Sequence, residues 1–477
     1  MRDFFIKHVG SGVNRMKKNG FGLAGLCCIF YFLCVACSQS QDTANYQKYL
    51  SQDTVVKGKT GVLITALGQP EDYEFTFFNN YMQQIFNAVF PWYIKPILLR
   101  DSGTVLLDPA NPVAEVEFKP ESLMDCFGKT EDPSGKSYVE MEYSWVEPRK
   151  EGKPGHFIMD KKNGFIDIVE KPAIKVCSYY YGRMPGGKVP YVAQHQALFA
   201  EVRQLLQAEF PEVALRTGWA MYPETVKKAI DELISEKVET IVVCDLFAVY
   251  SNLEQFEALF PEIEHMVAGR AKIIYAPQTG AFESYRAAFV QMAKDEIAKL
   301  PQQKKKLLVL TRHGFPEMPG EPYHELAPSF YGNLQKEVET ALAGTGTRVI
   351  FADTEFSAED DDPEDKRLAS SEILEQALEE KYDYLVYVLV DFVSENTDTV
   401  FCARDEALEP IEFSYDGLVP YDDFSMPFRT ELTYEQTCII VSGTPVGPKY
   451  RLLVARGIMD AVGTVLNGQP WPQLNVQ

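Results

Sequence analysis

Short runs of apolar residues alternate with amphipathic stretches along most of the chain. The apolar runs lie at 61–67, 240–244, 272–275, 306–310, 348–351 and 384–390. Apolar residues recur at helical spacing at 194–208, 223–237, 284–300, 331–343 and 368–381. Strands that alternate with helices of this length are typical of βαβ units, whose strands form parallel sheets. The pattern therefore predicts an α/β fold.

The alternation is interrupted between residues 102 and 177. Segments of alternating polarity at 139–145 and 156–169 flank turns rich in Pro, Gly and Lys. Such segments are typical of antiparallel hairpins. We therefore expect a β-rich hairpin insert at 102–177 within a first α/β domain at 59–300, followed by a second α/β domain at 301–477.

The chain begins with a segment that resembles an export signal. An uncharged apolar run at 19–36 follows a cluster of basic residues, as in a signal peptide. The run leads into Leu-Cys-Val-Ala-Cys at 33–37, which resembles a bacterial lipobox with Cys37 as the lipidated residue. An uncleaved anchor helix is the alternative, because a run of this length can just span a bilayer.

Both interpretations place the rest of the chain on the far side of a membrane. We expect a leader at 1–36 and a polar tether at 37–58, where no apolar period is present. The predicted location is the periplasmic side of a bacterial membrane, with the protein held there by a lipid anchor.

The charge balance and the cysteine spacing exclude several classes of partner. The net charge is −22, and so acidic a protein repels phosphate backbones, which argues against a nucleic-acid partner. The five cysteines after residue 37 are far apart and form no C-x-x-C pair. No zinc or iron–sulfur motif is therefore predicted.

Polar residues follow several of the predicted strands. In open parallel sheets, ligands bind beyond the carboxyl ends of the strands, which directs attention to 68–70, 245–251, 312–314 and 391–398. His313 ends an apolar strand, precedes a glycine and is one of six histidines in the chain. A neutral imidazole can accept a proton or bind a borderline metal ion. The alternative is a histidine that is merely hydrogen-bonded at a strand end.

A row of acids follows the last of these strands. Glu395, Asp398, Asp405 and Glu406 recur at spacings near three, four and seven, which would place them on one face of a helix. A solvated acidic face is the alternative, because acids are frequent throughout the chain.

Four segments, in this order, resemble motifs of the ferrochelatase family. Leu-Gly-Gln-Pro at 67–70 is similar to that family's Leu-Gly-x-Pro loop, and Leu-Phe-Ala-Val-Tyr-Ser at 246–251 to its Leu-Tyr-Pro-Gln-Tyr-Ser. Thr-Arg-His-Gly-Phe-Pro at 311–316, followed by Gly-Glu-Pro-Tyr, resembles Ser-Ala-His-Gly-Leu-Pro with Gly-Asp-Pro-Tyr. Phe-Val-Ser-Glu-Asn-Thr-Asp-Thr at 392–399 stands in the place of Phe-x-Ser-(Asp/Glu)-His-x-Glu-Thr.

The resemblance implies two Rossmann-like domains with a tetrapyrrole pocket between them. It also implies insertion of a divalent metal ion, expected to be ferrous iron, into a porphyrin. His313 would accept protons and contact the metal, with Asp398, as a second metal contact, and Glu395 as the facing acids. The resemblance further implies that the substrate is bound by Tyr250, Gly68, Pro70 and Tyr81. It implies no organic cofactor.

Two departures from the family pattern leave other functions open. Asn396 stands where the family has His, and Asp398 where it has Glu, so the chain could bind haem or a metal without turnover, as an extracytoplasmic carrier. Arg-His-Gly at 312–314 also resembles the histidine phosphatases. Those enzymes need a second, later histidine, and His324 follows too closely to serve.

Overall fold

The structure is a computed structural model in which contacts divide the chain into two compact units. One unit comprises Met1–Gly68 and Pro190–Gln477, and the other Gln69–Val189. The structure describes residues 46–50, 52–74, 77, 180–182, 184–315, 321–354, 368–411 and 423–472. In the smaller unit, Asp72 and Lys188 form an isolated antiparallel bridge, and Lys188 Nζ pairs with Glu71 at 2.9 Å.

The larger unit contains a four-stranded sheet in its first part. Its strands are β1 Thr60–Ala66, β2 Ala214–Trp219, β3 Thr240–Asp245 and β4 Lys272–Tyr275. The order is β2-β1-β3-β4, and all neighbouring pairs are parallel. β1 and β3 are buried along their whole length, as expected for strands that are covered on both faces.

A five-stranded sheet follows in the same unit. Its strands are β5 Lys306–Arg312, β6 Thr347–Asp353, β7 Tyr384–Leu389, β8 Thr430–Tyr434 and β9 Thr437–Ser442. The order is β6-β5-β7-β9-β8, and β8 is the one antiparallel strand, paired with β9 at the edge. β5 and β7 are neighbours in the parallel part of the sheet, so the residues that follow them meet at the same edge.

Helices connect the strands in both sheets. The α-helices are α1 Gln47–Leu50, α2 Tyr191–Glu209, α3 Pro223–Ser235, α4 Phe260–Val267, α5 Glu283–Ala298, α6 Tyr323–Leu326, α7 Tyr331–Ala341, α8 Ser370–Glu379, α9 Ala403–Leu408 and α10 Pro448–Leu466. Two segments are wound as π-helix, Asn252–Leu259 after β3 and Asp398–Cys402 after β7. None of the helices in the described part of the chain combines the length and the apolar character needed to span a bilayer.

One apolar core joins side chains of both sheets, and α10 contributes a row of buried residues to it. α10 packs closely against α5. A Cβ added to Gly457 on α10 would lie only 2.6 Å from the Cα of Tyr285 on α5. A second apolar cluster covers the other face of the five-stranded sheet and includes Val309, Leu374 and Tyr387.

The α/β fold with two mostly parallel sheets is confirmed, and each of the six predicted strands is present. The sequence pattern did not indicate β2, β8, β9 or α10. β2 is a half-exposed edge strand with the sequence Ala-Leu-Arg-Thr-Gly-Trp, so it has no continuous apolar run to reveal it. The predicted leader, the insert at 102–177 and residues 37–45 and 51 of the predicted tether lie outside the described residues. The described part of the tether contains α1, whose Tyr49 is buried in the apolar core.

Candidate functional site

His313 lies directly after β5, at the carboxyl end of the central part of the five-stranded sheet. The chain turns there through Gly314, whose φ of 84° lies in the left-handed region that favours glycine. The Nδ1 atom of His313 lies 3.0 Å from the carbonyl oxygen of Gly314. A carbonyl oxygen can only accept, so in the neutral ring Nδ1 carries the proton and Nε2 carries the lone pair.

Asp391, two residues after the end of β7, holds the backbone at His313. Its Oδ2 accepts the backbone N–H of His313 at 2.5 Å, and its Oδ1 accepts the Tyr331 hydroxyl at 2.5 Å. The Tyr331 hydroxyl in turn lies 2.6 Å from that of Tyr323. Burial raises the pKa of Asp391 above its usual range, against the lowering effect of its hydrogen bonds to Tyr331 and His313. Asp391 therefore positions the histidine through the backbone.

Arg312 also lines the site, and its guanidinium forms an ion pair with a carboxylate. Its Nε lies 2.5 Å from Oδ1 of Asp353, at the end of β6. Its guanidinium lies 5.1 Å from the ring centroid of Tyr331, a cation–π distance. The arginine is therefore fixed beside the histidine as part of an ion pair.

A cavity lies beside His313, with an empty volume of about 260 Å³ that includes open solvent. Asp398, at the start of the second π-helical segment, lines this cavity. The cavity is lined by Thr311, Arg312, His313, Thr354, Leu389, Asp391, Phe392, Asp398, Thr399, Cys402 and Ala403. The structure therefore brings together His313 and Asp398, the two predicted metal contacts.

Glu395 has a different environment from Asp398. It is fully buried, at 0% exposure. Its carboxylate accepts the backbone N–H groups of Phe428 at 2.9 Å and Thr444 at 2.8 Å, and the hydroxyl of Thr399 at 2.8 Å. It is not among the residues that line the cavity. Glu395 therefore joins the backbone at Phe428 and Thr444 to the side chain of Thr399.

The predicted substrate-binding residues occupy other places. Tyr250 is 0% exposed and packs edge-on against Phe256 and Phe260. The backbone N–H of Gly68, whose φ is 99°, donates to the Tyr191 hydroxyl at 3.2 Å. In the smaller unit, the carbonyl oxygen of Pro70 accepts the Tyr181 hydroxyl at 2.6 Å. Tyr81, Cys37 and the side chain of Asp405 lie outside the described residues.

Two interacting acids were not selected by the sequence analysis, and one of them, Glu254, also interacts electrostatically with His313. Burial raises the pKa of Glu254 to about 7; the charges of Asp245 and Glu321 act in the same direction, and that of His313 opposes them. Burial also raises the pKa of Glu321 to about 7, although its carboxylate accepts the N–H groups of Asn252 and Tyr323 at 3.0 Å. The Gly-Glu-Pro-Tyr segment could have indicated Glu321, whereas nothing in the sequence marked Glu254.

The histidine and its turn fall within the part of the chain that can be compared with a known family. Residues 163–352 match the ferrochelatase family model. This match confirms the resemblance seen in the motifs, and it contains the segments at 246–251 and 311–316. The segments at 67–70 and 392–399 lie outside the matched range.

Solved structures of two chelatases are similar over more than half of the chain. SirB from Bacillus subtilis, in a structure with Fe³⁺, is 13% identical, with a TM-score of 0.38, and the similarity covers 60% of this chain and 94% of SirB. CbiX, the terminal enzyme of siroheme biosynthesis in denitrifying bacteria, is 14% identical, with a TM-score of 0.32, over 57% of this chain and 93% of CbiX.

A repressor is similar over a comparable length. The periplasmic binding ribose operon repressor protein from Lactobacillus acidophilus is 10% identical, with a TM-score of 0.25, over 59% of this chain and 87% of that protein. Likenesses at these TM-scores do not establish a shared activity. No curated protein sequence matches the chain.

Proposed function

We propose that the protein is a chelatase that inserts a divalent metal ion, ferrous iron, into a porphyrin. The observation that carries the proposal is that His313, on the segment that matches the ferrochelatase family, shares one cavity with Asp398. Insertion requires two pyrrole N–H protons to leave and one divalent ion to arrive. A histidine that faces a carboxylate offers a proton acceptor and two metal ligands in one place.

The chain's own residues prepare this site in a definite way. The hydrogen bond from Nδ1 to Gly314 directs the lone pair to Nε2, and Asp391 fixes the backbone from which the ring projects. The cavity has room for about one water molecule, so it suits a single ion and not the macrocycle. We infer that this cavity holds the metal before it is transferred.

The test is metal insertion by the purified protein and by its His313→Ala variant. Both are mixed anaerobically with protoporphyrin and ferrous or zinc ion, and the porphyrin absorption bands are followed. We expect the wild type to convert many equivalents and the variant to lose at least about 100-fold in rate, the usual effect of removing a general acid–base group. His265→Ala is the matched control, because His265 is exposed on α4. Equal rates in His313→Ala and wild type would refute the proposal.

A carrier that binds a tetrapyrrole without turnover is the second candidate. It is favoured by Asn396, which stands where the family has His and is used locally: its Oδ1 accepts the backbone N–H of Thr399 at 2.8 Å. An amide in this role neither donates nor accepts a proton in chemistry at neutral pH. Stoichiometric haem or porphyrin binding with no metal insertion, in both wild type and His313→Ala, would establish this function instead.

We also propose that the protein is exported and lipidated at Cys37. The lipobox-like segment before Cys37 supports this proposal. Expressed in a bacterium, the full chain should fractionate with membranes, and its mature N-terminal peptide should begin at Cys37 with the added mass of acyl chains. Cys37→Ser should remove the added mass. A mature chain that still contains residues 1–36 would support the anchor-helix alternative.

A further inference from the structure

The carboxylate of Glu321 joins two segments that are far apart in the sequence. Each of its oxygens accepts the backbone N–H of Asn252 at 3.0 Å, at the start of the π-helical segment that follows β3. Its Oε1 also accepts the backbone N–H of Tyr323 at 3.0 Å, at the start of α6. Only 9% of Glu321 is exposed. One buried carboxylate therefore holds the first residues of both helical segments.

The other N–H groups at the start of the π-helical segment find acceptors within that segment. The backbone N–H of Ser251 donates to Oε1 of Gln255 at 2.9 Å, and that of Glu254 donates to Oγ of Ser251 at 3.1 Å. The N–H of Asn252 instead depends on Glu321, which lies 69 residues further along the chain. An N–H without an acceptor at the start of a helical segment destabilises that turn. The turn at 251–254 therefore depends on Glu321.

α6 connects Glu321 to the backbone of His313 through a series of hydrogen bonds. The hydroxyl of Tyr323 lies 2.6 Å from that of Tyr331. Tyr331 donates to Oδ1 of Asp391, and Oδ2 of Asp391 accepts the backbone N–H of His313. The hydrogen bonds of Glu321 thus join the turn at 251–254 to the same group of residues that positions the histidine.

The turn at 251–254 carries an acid that acts on the site. Glu254 interacts electrostatically with His313 and with Glu321. Because the energy of such an interaction depends on the distance between the groups, the position of this turn sets the charge that His313 experiences. Glu321 therefore affects the histidine from two directions, through α6 and through the turn that bears Glu254.

A second contact holds α6 against the first sheet without Glu321. Gln278, three residues after the end of β4, donates through Nε2 to the carbonyl oxygen of Leu326 at 3.2 Å and to the hydroxyl of Ser329 at 2.7 Å. Loss of the Glu321 carboxylate should therefore loosen the turn at Asn252 and leave α6 in place. This difference makes the role of Glu321 testable as a local effect.

We propose that Glu321 is a positioning residue of the candidate site, which fixes the turn at 251–254 relative to α6 and the His313 turn. The hydrogen bonds that define this role do not depend on the proposed function, whereas an effect on metal insertion does rest on it. Glu321 is not among the residues that line the cavity beside His313. Its removal should therefore lower the rate of insertion by misplacing groups around the substrate, and should leave binding of the metal ion unchanged.

The test is hydrogen exchange of the full-length protein, measured by mass spectrometry on peptides that cover 251–259. Glu321→Gln is the test variant, since it removes the charge and one of the two acceptor oxygens. Glu321→Asp is the conservative variant, because it keeps a carboxylate. Glu257→Gln is the matched control: it removes the same charge from an exposed residue of the same π-helical segment.

We expect the first turn of the segment to exchange at least about tenfold faster in Glu321→Gln, the effect of losing a hydrogen bond to a charged group. Glu321→Asp should restore most of the protection, and Glu257→Gln should match wild type. Peptides from β1 and β7 should exchange at the wild-type rate in every variant. In the metal-insertion assay, Glu321→Gln should lower kcat by about tenfold with an unchanged KM for the metal ion, and Glu321→Asp should recover most of the rate.

Failure of this proposal can be told apart from failure of the proposed function. Wild-type exchange at 251–259 in Glu321→Gln would overturn the role of Glu321, whatever the activity. Faster exchange throughout the protein would also overturn it, because Glu321 would then support the whole fold. Local loosening with an unchanged kcat would refute the positioning role. Local loosening in a protein whose wild type inserts no metal would leave the structural assignment standing and would refute the chelatase function.

Discussion

Glu395 and Asp398 are three residues apart, and the structure surrounds their carboxylates differently. Glu395 is enclosed and accepts three hydrogen bonds from three segments of the chain. Asp398 lines the cavity that His313 shares. At the scale of single residues, the protein holds the first carboxylate through three hydrogen bonds, whereas the second belongs to a residue that lines the cavity.

We predict that Glu395→Gln lowers the free energy of unfolding by about 1–3 kcal/mol, because a buried hydrogen-bond donor then faces the amide NH₂ in place of an oxygen. Urea denaturation followed by circular dichroism measures the change. Asp398→Asn is the comparison and should destabilise less, since Asp398 is only half-buried. If Glu395→Gln is as stable as wild type but inactive in metal insertion, Glu395 acts on the substrate directly.

At the scale of elements, the packing of α10 on α5 depends on a missing side chain. A Cβ at Gly457 would lie 2.6 Å from the Cα and 2.7 Å from the N of Tyr285. These are backbone atoms, so the contact could be relieved only by moving one helix away from the other. Gly463, on the same helix, has as its nearest neighbour an Asn467 side-chain atom at 4.0 Å.

We predict opposite effects for alanine at these two glycines. Gly457→Ala should destabilise the protein by about 1–3 kcal/mol through overpacking. Gly463→Ala should stabilise it by about 0.5–1 kcal/mol, because alanine is the better helix former and meets no obstacle. Thermal and urea unfolding of the pair measure both. Destabilisation of similar size at both positions would contradict the packing argument.

The two π-helical segments are the elements that sequence periodicity misses. Each follows a buried strand, β3 or β7, and each carries acids near the site, Glu254 on one and Asp398 on the other. Apolar spacing cannot separate a short π turn from an α turn, so the sequence analysis treated the acids after β7 as one helical face. The cavity admits Asp398 and Cys402 from that stretch and excludes Glu395.

At the scale of the whole molecule, stability should depend on pH through a buried histidine. His195 on α2 is 2% exposed; its Nδ1 lies 3.0 Å from the Tyr191 carbonyl oxygen, and its ring meets Trp219 edge-on. Burial lowers the pKa of His195 to about 4, from 6.5. The unfolded chain therefore binds a proton between these two values where the folded chain does not.

The sign follows from linkage. The contribution of His195 to stability is fully present above about pH 6.5 and is lost as the pH falls towards 4, by about 3 kcal/mol in total. We predict that His195→Phe, which keeps an aromatic ring in the apolar site, flattens this part of the curve. The free energy of unfolding in urea, measured for the variant and for wild type at several pH values, gives the two curves. Their difference isolates His195, because all other groups titrate equally in the two proteins. Parallel curves would show that His195 does not remain neutral.

Much of the architecture could be predicted from the sequence. Apolar runs indicate strands that are covered on both faces, and apolar residues at helical spacing indicate the helices that connect them. β1 and β5 through β7 were predicted in this way, and so was His313 at a strand end before a glycine. β2 and β8 lie at sheet edges, where half-exposed strands have no such run. β9 lies between β7 and β8, and its short apolar run at 438–441 was not singled out. Their place depends on pairing with distant parts of the chain.

The sequence by itself determined the α/β class, the strand ends that could carry a site, and His313 as the side chain most suited to proton or metal chemistry. Only the tertiary structure decided which residues face that histidine. Asp391 reaches it because β7 pairs with β5, and Asp398 and Cys402 share its cavity while Glu395 turns into the protein. Which side chains lie opposite His313 depends on the order of strands in the sheet and on the winding of a single turn. Neither follows from the spacing of residues along the chain.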